Sequence, residues 1–450
     1  MSVNILAGKK ILFANFPASG HFNPLTGLAV YLKEAGCDVR WYTSKTFANK
    51  LRKLHIPHYA FKKATDVIDN DFDTAFPGRQ KHKTQIGRLK FDIIHGFILR
   101  APEYYEDLQH IHKEFPFDLM VADCAFTAIP FVKDLMHIPV VAIGVLPLSE
   151  NSKDLPPSGL GMVPSYTRAG KIRQRFLRWV TGQVIFRKPN QVLHKLLDAY
   201  NITHHNKSIF DILAHKADIL LQIGTPGFEY YRSDLGSHIR FIGALLPYAP
   251  AKKQEQWFDS RLNRYSKTVL VTQGTVEKDV NKIVVPALEA FKDSDTLIIA
   301  TTGGSQTKEL RLKYPHNNII IEDFIPFEDV MPYANVYITN GGYGGVMLSI
   351  ENNVPMVVAG VHEGKNEICA RVGYFELGIN LKTEKPSPAQ LKKAVETVIK
   401  NETYKASITK MAQEFMRYHP LKLSADHIAA LLPVVTRGVN PGAKKATGIY

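Results

Sequence analysis

Ten short apolar runs, rich in β-branched residues and separated by helical stretches, constrain this chain more than any other feature. The first set is KILFANF at 10–16, DVRWYT at 38–43, FDLMVAD at 117–123, IPVVAIGV at 138–145 and ADILLQI at 217–223. The second is KTVLVTQ at 267–273, DTLIIAT at 295–301, NNIII at 317–321, NVYIT at 335–339 and VPMVVAG at 354–360. The runs are nearly continuous rather than alternating, as strands covered on both faces by helices should be. Helical stretches fall at 24–35, 126–137, 278–292, 343–352 and 388–401. Strand–helix alternation of this kind predicts an α/β fold of parallel, doubly wound sheets.

The alternation breaks once. Segment 246–266 is polar, carries two prolines and has no strand pattern. The expected organisation is therefore an amino domain at 1–245, a linker at 246–266 and a second Rossmann-like domain at 267–403. Helices at 404–435 and a flexible tail at 436–450 complete the chain. Ligands of open parallel sheets bind at the carboxyl ends of strands, so two facing sheets make a cleft for two substrates.

Composition removes several alternatives. A 45% hydrophobic fraction excludes wholesale disorder. No apolar run approaches the ~20 residues of a membrane helix. Residues 1–10 lack the apolar stretch of a secretory signal. Cys37, Cys124 and Cys369 lie far apart, with neither disulfide-framework nor zinc spacing, which fits a reducing cytoplasm. The formal net charge of +14 raises the question of a polyanionic partner.

The first strand runs into FPASGHFNPLTGLAVYL. Pro24 suits the first turn of the following helix, where its missing N–H is not needed. His21 would then sit on the loop at the strand's carboxyl end. There it can act as a general base near neutral pH, or merely cap the helix. A base histidine needs an orienting carboxylate. FDLMVADCAF offers Asp123 at the carboxyl end of a strand and Asp118 at the opposite end. The competing role for Asp123 is N-cap of the helix through Ala128–Leu135.

NVYIT runs into NGGYGGVMLSIENNVP, where Gly341, Gly342, Gly344 and Gly345 lie between a strand and a helix. Such a turn lets backbone N–H groups approach a phosphate, though it is neither a dinucleotide fingerprint nor a Walker loop. Phe324 and Phe327 stand at another strand end, where an aromatic ring can stack on a base or pack in the core. DNDFD, with Asp69, Asp71 and Asp73, looks like the carboxylate motif of metal-dependent enzymes. It has no preceding buried strand, so a solvated loop is expected and no metal.

GHFNPLTGLAVYL, VADCAF and FIPFEDVMPYANVYITNGGYGGVMLSIENNVPMVVAG, in this order and spacing, resemble the family 1 glycosyltransferases. These are nucleotide-sugar-dependent enzymes of the GT-B fold. The resemblance extends from the first strand to about residue 435. It implies that the amino domain binds the acceptor and the second domain the nucleotide sugar. It assigns His21 to deprotonate the acceptor hydroxyl and Asp123 to hold its imidazole, with inversion at the sugar. It also implies that Phe324 stacks on the base while the Ile325 backbone reads its edge. The resemblance matches Gly344 and Gly345, with Gly341 and Gly342 just before them, to the phosphate-binding turn, and Thr275 to a small hydroxyl residue near the diphosphate.

The chain departs from the family pattern at several of these points. Asn340 replaces a histidine before the glycines; an amide donates hydrogen bonds but carries no charge. Gly345 replaces a residue with a hydroxyl. The ribose-binding glutamate falls at Leu348; Glu351, on the same helix face, is the candidate substitute, with a solvated helix residue as its competing role and the ribose then held otherwise. The acidic–glutamine pair that holds the sugar is absent. Among His362, Glu363, Lys365, Asn366 and Glu367, we favour Glu363 and Asn366.

The charge is localised. Between Asn151 and Lys216 eleven Lys and Arg stand against three Asp. Arg168, Lys171, Arg175 and Arg178 form one helical stripe, beside an apolar stripe of Ile172, Phe176 and Trp179. A surface helix packed on the amino domain is expected, with peripheral membrane contact through 168–186 as the competing use. In the family this segment helps to wall the acceptor pocket. Together these readings predict a monomeric, metal-independent enzyme moving a hexose, expected to be glucose, from a UDP-sugar co-substrate to a small hydrophobic or aromatic acceptor. No other cofactor and no nucleic acid partner are expected. The alternative is a lipid glycosyltransferase at an anionic membrane.

Overall fold

The computed structural model describes residues 3–67, 71–249, 256–274, 277–362 and 364–432. The proposed tail at 436–450 lies outside them. Among the described residues thirteen strands form two all-parallel sheets. The amino sheet contains β1 (Lys10–Ala14), β2 (Asp38–Thr43), β3 (His58–Ala60), β4 (Leu119–Asp123), β5 (Val140–Gly144), β6 (Ile219–Ile223) and β7 (Ile239–Gly243). The carboxyl sheet contains β8 (Lys267–Thr272), β9 (Thr296–Thr301), β10 (Ile319–Glu322), β11 (Val336–Thr339), β12 (Met356–Val358) and β13 (Gly378–Asn380).

The orders are β3-β2-β1-β4-β5-β6-β7 and β10-β9-β8-β11-β12-β13. Each is doubly wound, with its direction of winding reversing beside its first strand. The reversal opens a crevice between β1 and β4 in one sheet, and between β8 and β11 in the other. Alternate residues explain the continuous apolar runs. Ile11 and Phe13 of β1 enter one core while Leu12 and Ala14 enter another. Leu270 and its neighbours Val269 and Val271 divide in the same way. One contiguous cluster joins both halves, from Phe13 and Leu25 to Leu270 and Val346.

The three strands absent from the sequence reading are β3, β7 and β13. β3 and β13 have only three residues each, and β7 includes the exposed Arg240. All three lie at sheet edges, where the burial that produces an apolar run is missing.

The chain changes halves twice. The Tyr248 N–H still bonds Thr26 Oγ1 of the amino half, whereas the Trp257 N–H bonds Asp329 of the carboxyl half. The helix Glu402–Phe415 then straddles both halves. Lys405 at its start donates to the Asn353 carbonyl, and Glu414 at its end accepts from the Gly227 N–H. The final helix, Pro420–Leu431, packs on Ser19–Glu34, with Leu421 beside Gly27.

Candidate active site

The first crevice is built by the ends of β1 and β4, where Ala14 pairs with Ala122. The next helix begins at Ser19, so His21 lies in its first turn and not on a loop. Pro24 is the sixth residue of that helix, where its ring forgoes a hydrogen bond to the Gly20 carbonyl. Thr26 Oγ1 bonds the Asn23 carbonyl one turn away. Helical geometry thus fixes the direction from which His21 enters the crevice.

Nδ1 of His21 lies 2.6 Å from Oδ1 of Asp123. Asp123 is completely buried and its contacts are full. Oδ2 accepts from the Phe16 N–H at 2.6 Å, and Oδ1 also accepts from the Ala125 N–H at 2.8 Å. It does not cap the next helix, Ile129–Leu135, whose N-cap is Ala128. With Nδ1–H donated to this carboxylate, the lone pair of the neutral imidazole falls on Nε2. Asp118 sits at the other end of the sheet, accepting from the Lys10 N–H.

Aromatic rings stand beside the imidazole. Phe16 meets His21 edge-on at 5.5 Å and stacks on Phe97 at 4.4 Å, with Phe72 at 6.3 Å. Phe72 and Phe97 escape sequence reasoning because one lies inside the DNDFD stretch and the other in an irregular helix. Asp71 of that stretch caps the short helix Phe72–Ala75, and Asp73 pairs with Arg79. Asp69 lies outside the described residues. Among those residues one trio could hold a metal ion, Glu150, His215 and His238, and it includes none of the candidate catalytic or donor side chains.

The second crevice lies where β8 and β11 end side by side, Thr272 opposite Thr339. Gly341 adopts φ 78°, and a Cβ there would fall 2.4 Å from Cys369 Sγ, so only glycine fits. Gly342 is the N-cap of the helix Tyr343–Glu351, which no side chain caps among the described residues. Among the described residues its first-turn N–H groups therefore lack a side-chain capping acceptor, and nothing crowds Gly344. Gly345 instead lies against the Tyr337 ring.

Asn340 departs from the expected role. Its amide nitrogen donates to the Gln273 carbonyl, and its Oδ1 accepts from the Gly342 N–H at 3.2 Å. It ties the β8 loop to the glycine turn. Phe324 is 69% exposed, whereas Ile325 is buried and Phe327 packs against Tyr337. Only Phe324 thus presents a free aromatic face. Leu348 packs against the core. Glu351 ends its helix near the surface, and partial burial of its carboxyl pushes the pKa up to about 7.

Thr275 and Glu363 lie outside the described residues. Asn366 is committed elsewhere: its amide donates to the Gly159 carbonyl of the amino half at 2.7 Å. Glu367 beside it accepts the Gly159 and Gly161 N–H groups, both at 2.8 Å. These contacts form the exposed edge of a bridge between the halves whose buried centre is Arg371. Arg371 bonds Glu367 at 3.0 Å and Glu229 at 2.5 Å, and lies over the Tyr230 ring at 4.3 Å. Tyr343 adds a 2.7 Å hydrogen bond to the Ile223 carbonyl. No local pattern could reveal partners more than a hundred positions apart.

The family model for the Erythromycin biosynthesis protein CIII-like, C-terminal domain, matches residues 286–425. The chain is 30% identical over 425 residues to 4'-demethylrebeccamycin synthase of Lentzea aerocolonigenes, covering 94% of this chain and all of that one. It is 28% identical over 432 residues to UDP-glucosyltransferase 1 of Beauveria bassiana (strain ARSEF 2860), covering 90% and 91%. The solved structure of CalG4, the calicheamicin glycosyltransferase, superposes with a TM-score of 0.72 at 18% identity, covering 95% and 99%. That likeness shows the GT-B fold.

Proposed function

The chain belongs to the family 1 natural-product glycosyltransferases, and from that premise we propose that it transfers a hexose from a UDP-sugar to a hydroxyl of a small hydrophobic or aromatic acceptor. The observation that carries this reading is the His21–Asp123 pair, 2.6 Å apart in the crevice of the amino sheet.

In this reading Nε2 of His21 takes the proton of the acceptor hydroxyl. Asp123 holds the tautomer and stabilises the imidazolium that forms. The acceptor oxygen attacks the anomeric carbon from the side opposite the nucleoside diphosphate. The carbon–oxygen bond to the diphosphate breaks, and the configuration inverts. The leaving diphosphate takes up its charge at the uncapped N-terminus of Tyr343–Glu351, held by the turn of Gly341, Gly342 and Gly344. Phe324 stacks on the base, beside the backbone of Ile325. Glu351 is the candidate for the ribose and Glu363 for the sugar, with Thr275 near the diphosphate. The Phe16, Phe72 and Phe97 rings supply the apolar wall for an aromatic acceptor.

Names of the relatives point to natural-product glycosylation and do not favour a lipid acceptor. The test is a panel of UDP- and dTDP-sugars against a polyphenol acceptor, read by mass spectrometry, with product anomers assigned by NMR. Transfer from UDP-glucose with inversion, unchanged by a chelator, is expected. A retained anomeric configuration, or transfer that depends on added metal, would overturn the mechanism.

A further inference from the structure

The helix Arg168–Val180 is built inside out. An amphipathic surface helix ordinarily turns its apolar stripe to the core. Here the inward side chain is Gln174, buried, with Oε1 accepting from the Ser165 N–H at 2.6 Å and Nε2 donating to the Asp154 carbonyl at 2.9 Å. Arg178 joins it from the same side, donating to the carbonyls of Lys153 and Leu155. The expectation that the apolar stripe packs on the amino domain is therefore wrong. Ile172, Phe176 and Trp179 are 71%, 59% and 61% exposed, and Val184 beyond them is 60% exposed. Phe176 and Trp179 stack on each other at 6.2 Å. Exposed Ile86 and Leu89 carry apolar surface onto a neighbouring helix, whose Lys90 bonds the Val184 carbonyl.

We propose that this outward face docks the protein on an anionic lipid surface. At about 100° per residue, Ile172, Phe176 and Trp179 point opposite Gln174. Arg168 and Arg175 flank the stripe on one side and Arg173 on the other, all exposed. No acidic residue occurs between Asp154 and Asp198. An apolar ridge between two cationic flanks matches the acyl boundary and the headgroups of an anionic bilayer. A second copy is the poorer occupant, because a two-fold contact would bring the same cations together. The bilayer is here a surface to rest on and not the acceptor.

The test is flotation of the full chain with vesicles of phosphatidylcholine alone or mixed with phosphatidylglycerol. Binding to the mixed vesicles, weakened by salt, is expected. Of the three tryptophans, Trp41 is buried and Trp179 exposed, so emission should shift to the blue on binding. The double variant I172N/F176S should lose about tenfold or more in partitioning, as should R168E/R175E. W179F should still float but lose most of the blue shift. Melting temperatures matching the parent's guard against misfolding, since none of these side chains enters the core. Failure to bind phosphatidylglycerol vesicles, equal partitioning of I172N/F176S, or a lipid-free dimer abolished by the same substitutions without vesicle binding would each overturn the proposal.

Discussion

The two crevices differ in how complete they are. In the amino half, Asp123 is buried and its oxygens are taken by His21, Phe16 and Ala125. In the carboxyl half, among the described residues, the helix start has no side-chain cap, nothing crowds Gly344, and Phe324 stands 69% exposed. One crevice is a closed circuit with a single ring nitrogen left over. The other is a set of N–H donors and an exposed ring face. Under the proposed function, the difference teaches that proton transfer would rest on groups already oriented by the fold, while nucleotide recognition would be finished by the nucleotide.

His21→Ala should separate the halves most sharply. The rate should fall about 10³-fold or more, while UDP binding, followed by calorimetry, stays unchanged. A matching loss of UDP affinity would break the division of labour. Asp123→Ala should follow, with a loss of about 10²-fold in kcat and again no change in UDP affinity. A rate equal to the parent's would remove Asp123 from the circuit.

Phe324→Ala tests the other half. Stacking of about 1–3 kcal/mol per base predicts a donor KM raised roughly tenfold, with kcat little altered. A change confined to kcat would contradict a binding role. The smallest effect belongs to Glu351, whose carboxyl deprotonates as pH rises through about 7. If its anion accepts from the ribose, the donor KM should fall about threefold across that interval, and Glu351→Gln should flatten the profile. A flat profile in the parent would exclude Glu351 from donor binding.

What the chain's residues disclose follows from what is local. Strands such as VVAIG and LIIAT are buried on both faces and write themselves as apolar runs. The edge strand HYA is only half-buried and writes nothing. Pro24 misplaced a helix start by five residues, because its preference for a first turn is a tendency that tertiary packing overrides. His21 and Asp123 were legible as strand-end residues, since end position depends on neighbours in sequence. The Asn340, Asn366 and Arg371 contacts were not. Each joins segments 67, 207 or 142 residues apart, and a single sequence records no distance of that kind.

The straddling helix Glu402–Phe415 has a mechanical consequence. Together with the crossing between Tyr248 and Trp257 it ties the halves at two points. A body hinged at two points swings like a door about the line through them and resists twist. A swing that separated β6 from the glycine-turn helix would part Tyr343, at the very start of that helix, from the Ile223 carbonyl. In such a swing, opening the door and loosening the proposed diphosphate cradle would be one movement.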